Sequence, residues 1–225
     1  MRFFRQAFTV AAKDLRSEFR TKEALNASLS FALVILLLFS FAFDPNSEET
    51  LTMSGGLLWM AFAFAGALIL NSSFARELPN DCLDALVASP VSGAAMFLGK
   101  ALANTLLLLV IELISLPVFG IFYNVSWTAQ FWSLMLVVVL ATWGITVVGT
   151  MFSALTVNLR LRELMLPMLV YPMIVPALMS AMLLTTSLLM GEPLADHFLW
   201  LRLLIGFDII FTALAVALVE TVLVG

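Results

Sequence analysis

Six stretches of this chain are each long and apolar enough to cross a lipid bilayer, and that feature rules out most of what 225 residues could otherwise become. A hydrocarbon core of about 30 Å calls for about 20 mainly apolar helical residues, each rising about 1.5 Å. The stretches run from Ala24 to Phe43, Leu51 to Phe74, Ala101 to Phe122, Phe131 to Leu155, Leu164 to Met190 and Leu199 to Val224. Turn residues separate them: Asp44-Pro45-Asn46 after the first, Tyr123-Asn124 after the third and Gly191-Glu192-Pro193 after the fifth. With 62% hydrophobic and 12% charged residues, the chain carries more apolar surface than a soluble fold could hide. The expected fold is all-α, a polytopic membrane protein with six transmembrane helices in a single transmembrane domain over residues 1–225.

Charge placement orients the bundle, because Lys and Arg near helix ends stay on the cytoplasmic side. Arg2, Arg5, Lys13, Arg16, Arg20, Lys22, Arg76, Lys100, Arg160 and Arg162 share one side, and Arg202 alone falls on the other. Both termini are therefore expected in the cytoplasm, with the loops Asp44 to Glu49, Tyr123 to Gln130 and Gly191 to Phe198 outside. A formal charge of −4 offers no case for nucleic acid as a partner. One cysteine, Cys82, excludes an internal disulfide and a cysteine metal cage, and one histidine, His197, excludes a multi-histidine site. No cleavable signal is visible, so the first apolar run is expected to remain as an anchor.

Residues 1–23 span nothing, yet Phe4, Phe8, Ala11, Leu15 and Phe19 form a helical apolar stripe opposed by Arg5, Lys13, Arg16 and Arg20. That pattern predicts an amphipathic interfacial helix whose basic face suits anionic lipid headgroups. Glu18 stands four residues before Lys22, the favourable order for a helical ion pair. The helix serves as an anchor or, in addition, elbows against a partner.

Residues 75–100 form the cytoplasmic segment between the second and third spans. Within it Asp81 can cap a short helix, Asp84 favours its N-terminus and Ser89-Pro90 stops it. Leu83, Leu86 and Val87 share one face of about two turns, too short to be stable alone in water. That face must be buried against this chain, the membrane or another subunit. In a transporter, a cytoplasmic motor would push here, with Glu77, Leu83, Asp84, Leu86 and Val87 as the coupling residues.

Signals for catalysis are absent. Gly93 with Gly99-Lys100-Ala101 has the wrong spacing for a phosphate-binding loop, and Ala101 lacks the hydroxyl that would hold magnesium. Lys100 reads instead as a snorkelling residue at the cytoplasmic end of the third span. Any ATP must be hydrolysed by another chain. Glu112, halfway along the third span, and Asp208, in the last, are costly inside a bilayer and must be protonated, paired or facing a polar cavity. Each is a candidate for the transport path or for a structural hydrogen bond between helices. Glu220 lies near the cytoplasmic end, within reach of water. His197 is a solvated loop histidine or, less simply, a haem ligand. Trp127, Trp132 and Trp200 read as interfacial anchors. Pro167, Pro172 and Pro176 predict a kinked or broken fifth span. The run Ala61 to Ala67, and Gly144 with Gly149, permit close helix approach within the chain or between two copies.

These residues are specific enough to carry a family resemblance. Gly56-Leu57-Leu58-Trp59, Asn71-Ser72-Ser73-Phe74-Ala75-Arg76-Glu77, Leu83-Asp84-Ala85-Leu86, Ser89-Pro90-Val91 and Leu98-Gly99-Lys100 form its first block. The second runs through Leu155-Thr156-Val157-Asn158-Leu159-Arg160-Leu161-Arg162-Glu163, Leu166-Pro167-Met168-Leu169 and Pro172-Met173-Ile174-Val175-Pro176. The chain resembles CcmB, the haem exporter protein B family of cytochrome c maturation. Asp81-Cys82 stands where that family usually has Gly-Thr, and Pro79 is a further departure. The resemblance implies an ABC-2-exporter-like permease in the bacterial inner membrane. It also implies pairing with an ATP-binding-cassette ATPase, beside a haem-handling membrane subunit and a haem chaperone, with two copies in the complex. ATP would be bound by the partner, and would drive haem export or the release of haem-loaded chaperone. The tryptophan-rich haem motif of the companion subunit is absent here. Haem is therefore expected to be handled by the complex, with no cofactor or metal held by this chain itself, which transmits force.

Overall fold

A computed structural model describes residues 2–45, 47–75, 77, 91–157, 159 and 161–224, and among these the only regular structure is helical. The helices are α1 (Arg2–Thr21), α2 (Glu23–Ala42), α3 (Glu48–Ala75), α4 (Gly93–Phe122), α5 (Phe131–Thr156), α6 (Arg162–Leu189) and α7 (Phe198–Val224). A 3-10 turn, Leu194–His197, precedes α7. Helices α2 to α7 are long and apolar enough to cross a membrane, so the chain is a polytopic membrane protein with six spans.

Corners between helices fall where the backbone turns left-handed. Lys22 (φ 57°) separates α1 from α2, Asn124 (φ 52°) follows α4 and Gly191 (φ 87°) follows α6. Non-glycine residues visit this region uncommonly, and asparagine does so more readily than most. At the first corner Glu18 turns inward, and its carboxylate accepts from the Leu25 N–H at 2.8 Å, satisfying one orphan donor at the start of α2.

Helices α3, α4 and α5 form the centre, with α2, α6 and α7 around them. The main core joins Trp59 and Phe62 of α3, Phe119 of α4, Val138 and Ile145 of α5, Ile174 and Leu184 of α6, and Leu204 of α7. The Trp59 indole N–H donates to the Thr185 hydroxyl at 2.9 Å, and the Gly55 N–H to the Thr186 hydroxyl at 3.2 Å, so α3 and α6 lie close. On α2 only Ala24, Ser28, Ala32 and Leu36 are buried, one residue per turn on a single face. Leu25, Leu29, Ile35 and Phe39 pack at its edges, while Phe31, Val34, Leu37, Leu38 and Phe41 face outward, as lipid allows, since a span gains nothing by hiding them from acyl chains. Small residues do their packing within the chain. A Cβ on Gly144 would sit 2.5 Å from the Asp208 carboxyl of α7, and one on Gly149 would collide with Leu70 of α3.

Two expectations are corrected. Helix α4 begins at Gly93, well before Ala101, with the Ser92 hydroxyl accepting from the Ala95 N–H at 3.3 Å as its N-cap. Hydrophobicity fails to register this extension because it contains Lys100, whose charge is neutralised inside the protein. Helix α6 runs through Pro167, Pro172 and Pro176 without the break that was one of the two expected outcomes; one face packs on α3, α5 and α7, where neighbours can satisfy the groups a proline frees. The expected stripe of α1 divides between two surroundings: Ala11, with Ala7 and Val10, is buried and Leu15 is partly buried on the bundle, while Phe4, Phe8 and Phe19 are exposed. The aromatic face is left for lipid, and small side chains mediate the contact with protein.

Candidate functional site

The residues singled out by chemistry gather on α4 and its neighbours. At the end of the bundle that bears α1, Lys100 is fully buried, contrary to the expectation that it snorkels. Its ammonium donates to the Asp14 carboxylate at 3.1 Å, the Glu77 carboxylate at 2.9 Å and the Ser73 carbonyl at 3.0 Å, and lies 4.6 Å from the Phe74 ring centroid. Lys13 completes the group by pairing with both Asp14 and Glu77. Two cations and two anions thus tie together α1, α4 and the residue just beyond α3. The partnering explains why a buried lysine is tolerated, since an isolated ammonium ion would be prohibitively costly away from water. Burial pulls the Lys13 pKa down, but the hydrogen bond to Glu77 and the charge of Asp14 outweigh it and leave it raised from 10.5.

From Lys100 a polar seam runs inward between α4 and α5. The Asn104 amide donates to Ser73 Oγ and to Thr150 Oγ1, both at 2.9 Å. Thr105 and Thr146 share a hydrogen bond of 2.6 Å, and Ser153 Oγ donates to the Leu70 carbonyl at 2.8 Å. The seam ends at Glu112, about 18 Å along α4 from Lys100. The Thr142 hydroxyl lies 2.8 Å and 2.6 Å from its two carboxyl oxygens, and Glu112 is fully buried. Sequence reasoning found the ends of this seam and missed its middle. The missed signal was periodic: Thr142, Thr146 and Thr150 recur every fourth residue in a span without a charge, and Lys100, Asn104 and Glu112 keep the same period on α4.

Asp208 occupies a different environment. It is 6% exposed and lies on α7 against Gly144, and among the described residues neither carboxyl oxygen has a hydrogen-bond partner. Thr142 and Gly144 are about 200° apart around α5. Glu112 and Asp208 therefore meet different sides of that helix, and the structure does not bring the two carboxyls together. One turn beyond Asp208, the Trp143 indole N–H donates to the Thr212 hydroxyl at 3.0 Å, fastening α5 to α7.

Of the expected coupling residues, Glu77 is 6% exposed within the four-charge group. Leu83, Asp84, Leu86 and Val87, with the short helix expected around them, lie outside the described residues. Glu220 lies beyond the described side chains. His197 sits on the 3-10 turn with Nε2 2.7 Å from a Glu192 carboxyl oxygen. Trp132 is 83% exposed at the same end, as an interfacial anchor requires, while Trp127 packs on Gly120. Among the described residues no cluster of His, Cys, Asp and Glu could hold a metal ion. The basic face of α1 lines an open cleft of about 800 Å³ with Thr9, Lys13, Arg16, Ser17 and Arg20.

Comparison with known proteins gives a consistent picture. The sequence model of the family described as CcmB protein matches residues 5–222. The chain is 30% identical over 167 residues to the Heme exporter protein B of Rhodobacter capsulatus, covering 74% of this chain and 76% of that one. It is 29% identical over 206 residues to the protein of the same name from Pseudomonas aeruginosa, covering 92% of each. A shorter match of 91 residues at 26% identity links it to the Escherichia coli K12 protein of that name, over 40% of this chain and 41% of that one.

Proposed function

The chain belongs to the CcmB family, and on that premise we propose that it is the membrane subunit of an ATP-binding-cassette haem exporter serving cytochrome c maturation. The observation that carries this reading is the family match from end to end, with relatives named for haem export. The six apolar spans supply the permease body that such a subunit needs.

In this reading the protein sits in the bacterial inner membrane with α1, Lys100 and both termini on the cytoplasmic side, which the distribution of Lys and Arg supports. A separate ATPase docks on residues 78–90 through Leu83, Leu86 and Val87, and two copies of each chain assemble beside a haem-handling membrane subunit and a haem chaperone. Haem is held by those companions. The full burial of Glu112 and its hydrogen bond to Thr142 support that division of labour, because this carboxyl is engaged between two helices of the chain. Asp208, without such a bond among the described residues, is the intramembrane group left for the transport path. The basic face of α1 meets anionic headgroups. ATP hydrolysis then drives either haem export or release of haem-loaded chaperone.

The test is a charge placed on the docking face. Leu83→Asp or Leu86→Asp is expected to leave the protein inserted in the membrane, to detach or uncouple the ATPase, and to abolish cytochrome c assembly. Unchanged ATPase association with unchanged cytochrome c output would refute the coupling reading. Intact cytochrome c assembly after gene deletion would point to a permease for another substrate, such as a lipid or polysaccharide. Normal assembly with a catalytically dead ATPase would point to a scaffold.

A further inference from the structure

We propose that Lys13, Asp14 and Lys100 are positioning residues for energy coupling, which clamp Glu77, the residue entering the cytoplasmic segment, to α1 and α4 so that the three move as one lever. The inference rests on the reading that an ATPase acts on that segment.

Four observations converge on it. Glu77 stands at the threshold of residues 78–90, and both Lys13 and Lys100 pair with its Oε1. The partners come from distant parts of the chain, 64 and 23 residues away, so local helix geometry does not bring them together. The group is largely enclosed, with Lys100 0%, Glu77 8% and Asp14 18% exposed at the side chain. An apolar replacement of similar volume would often hold such a site as well or better, so a buried ion group is better suited to fixing an arrangement than to adding stability. Finally, the buried apolar side chains of α1 are all small, Ala7, Val10 and Ala11, with Leu15 only partly buried against α2, α3 and α4. Ala7 and Val10 meet Gly99 of α4, while Phe4, Phe8 and Phe19 face outward.

The mechanical consequence is direct. Displacement of the segment at Glu77 is delivered through two short ionic contacts to α1, which floats at the membrane surface, and to α4, which crosses it. Helix α4 carries the displacement to α5 through Asn104 with Thr150, and through Glu112 with Thr142. Lys13 and Asp14 make α1 part of the moving body.

The experiment uses the complete complex reconstituted in lipid and reads haem delivered per ATP hydrolysed, alongside the amount of complex assembled. Glu77→Gln and Lys13→Met are each expected to lower that ratio by about 5-fold or more, the small end of typical coupling effects. The double variant should fall no further than the worse single one, and Lys13→Arg, which keeps the charge, should restore most of the ratio. A ratio unchanged in assembled Lys13→Met complex, or a loss confined to the quantity of complex, would overturn the proposal. Because Lys13 is half exposed, that variant carries the test even where Glu77→Gln does not accumulate. Leu83→Asp separates the two levels. If it uncouples while Lys13→Met does not, the clamp is wrong and the docking reading stands. If neither uncouples, both fail.

Discussion

Gly99 is a point of close approach between α1 and α4, with no room for a side chain. A Cβ at this position would lie 2.6 Å from the Ala7 carbonyl oxygen, 2.7 Å from Val10 Cβ and 3.0 Å from Val10 Cγ1. Ordinary contacts between such atoms fall at about 3.5 to 4.0 Å, so α1 must retreat by close to 1 Å. Neither the carbonyl nor Val10 Cβ can turn aside by a rotamer change, so the whole helix has to move. A gap of that size forfeits about a quarter to a half of the attraction across the contact, and overpacking of this kind costs about 1 to 3 kcal/mol. Alanine also favours α4 over glycine by about 1 kcal/mol. Gly99→Ala should therefore lower overall stability by only about 0 to 2 kcal/mol, because the helix gain offsets part of the clash. Detachment of α1 receives no such offset and should become about 5 to 150 times easier. Gly99→Val, with two more carbons in the same space and little propensity gain, should detach α1 further and lower the thermal midpoint as well. Hydrogen exchange of residues 2–21 in lipid nanodiscs measures this directly. Exchange of α1 unchanged in both variants would refute the claim that glycine is required for the approach.

Thr142→Val removes the hydroxyl that Glu112 uses while keeping shape. Interhelical hydrogen bonds in membranes average about 0.6 kcal/mol, but leaving a buried carboxyl without its donor raises the cost to about 1 to 3 kcal/mol. The thermal midpoint should fall accordingly, and Thr142→Ser should restore it. The attachment of α1 should be sensitive to alkali. The Lys13 pKa in the folded protein is raised from 10.5, so its stabilisation is fully present below 10.5 and is lost as pH climbs through the folded value. A fluorescent probe at Ser17 should report a constant environment from neutrality to 10.5 and a change above it; a transition centred below 10.5 would contradict the assignment.

The span count, the loops and the side on which cations gather were legible in sequence, because lipid enforces them residue by residue. A segment that crosses a bilayer must satisfy its backbone internally and shed its charge, and both conditions are met or failed locally. Glu112 and Asp208 stood out on the same principle, since a carboxyl among leucines is anomalous in sequence alone. What each carboxyl meets was not legible, because the answer lies on other helices: a threonine on α5 for Glu112, the backbone beside Gly144 for Asp208.

Lys100 shows the limit most plainly. In sequence it is one cation at the end of an apolar run, and snorkelling is the economical reading. Tertiary structure places Asp14, Glu77 and the Ser73 carbonyl around it and extends α4 past it to Gly93. The same holds in part for α1: the stripe visible in sequence included Ala11 and Leu15, which do pack on the bundle, but nothing in it marked Ala7 and Val10 as the residues that fit against Gly99. The sequence by itself determined a six-span membrane protein with its cations on one side, since those properties answer to the solvent. Tertiary structure alone decided which charges pair, where α1 docks and how the seam between α4 and α5 closes, since those answer to neighbours distant in the chain.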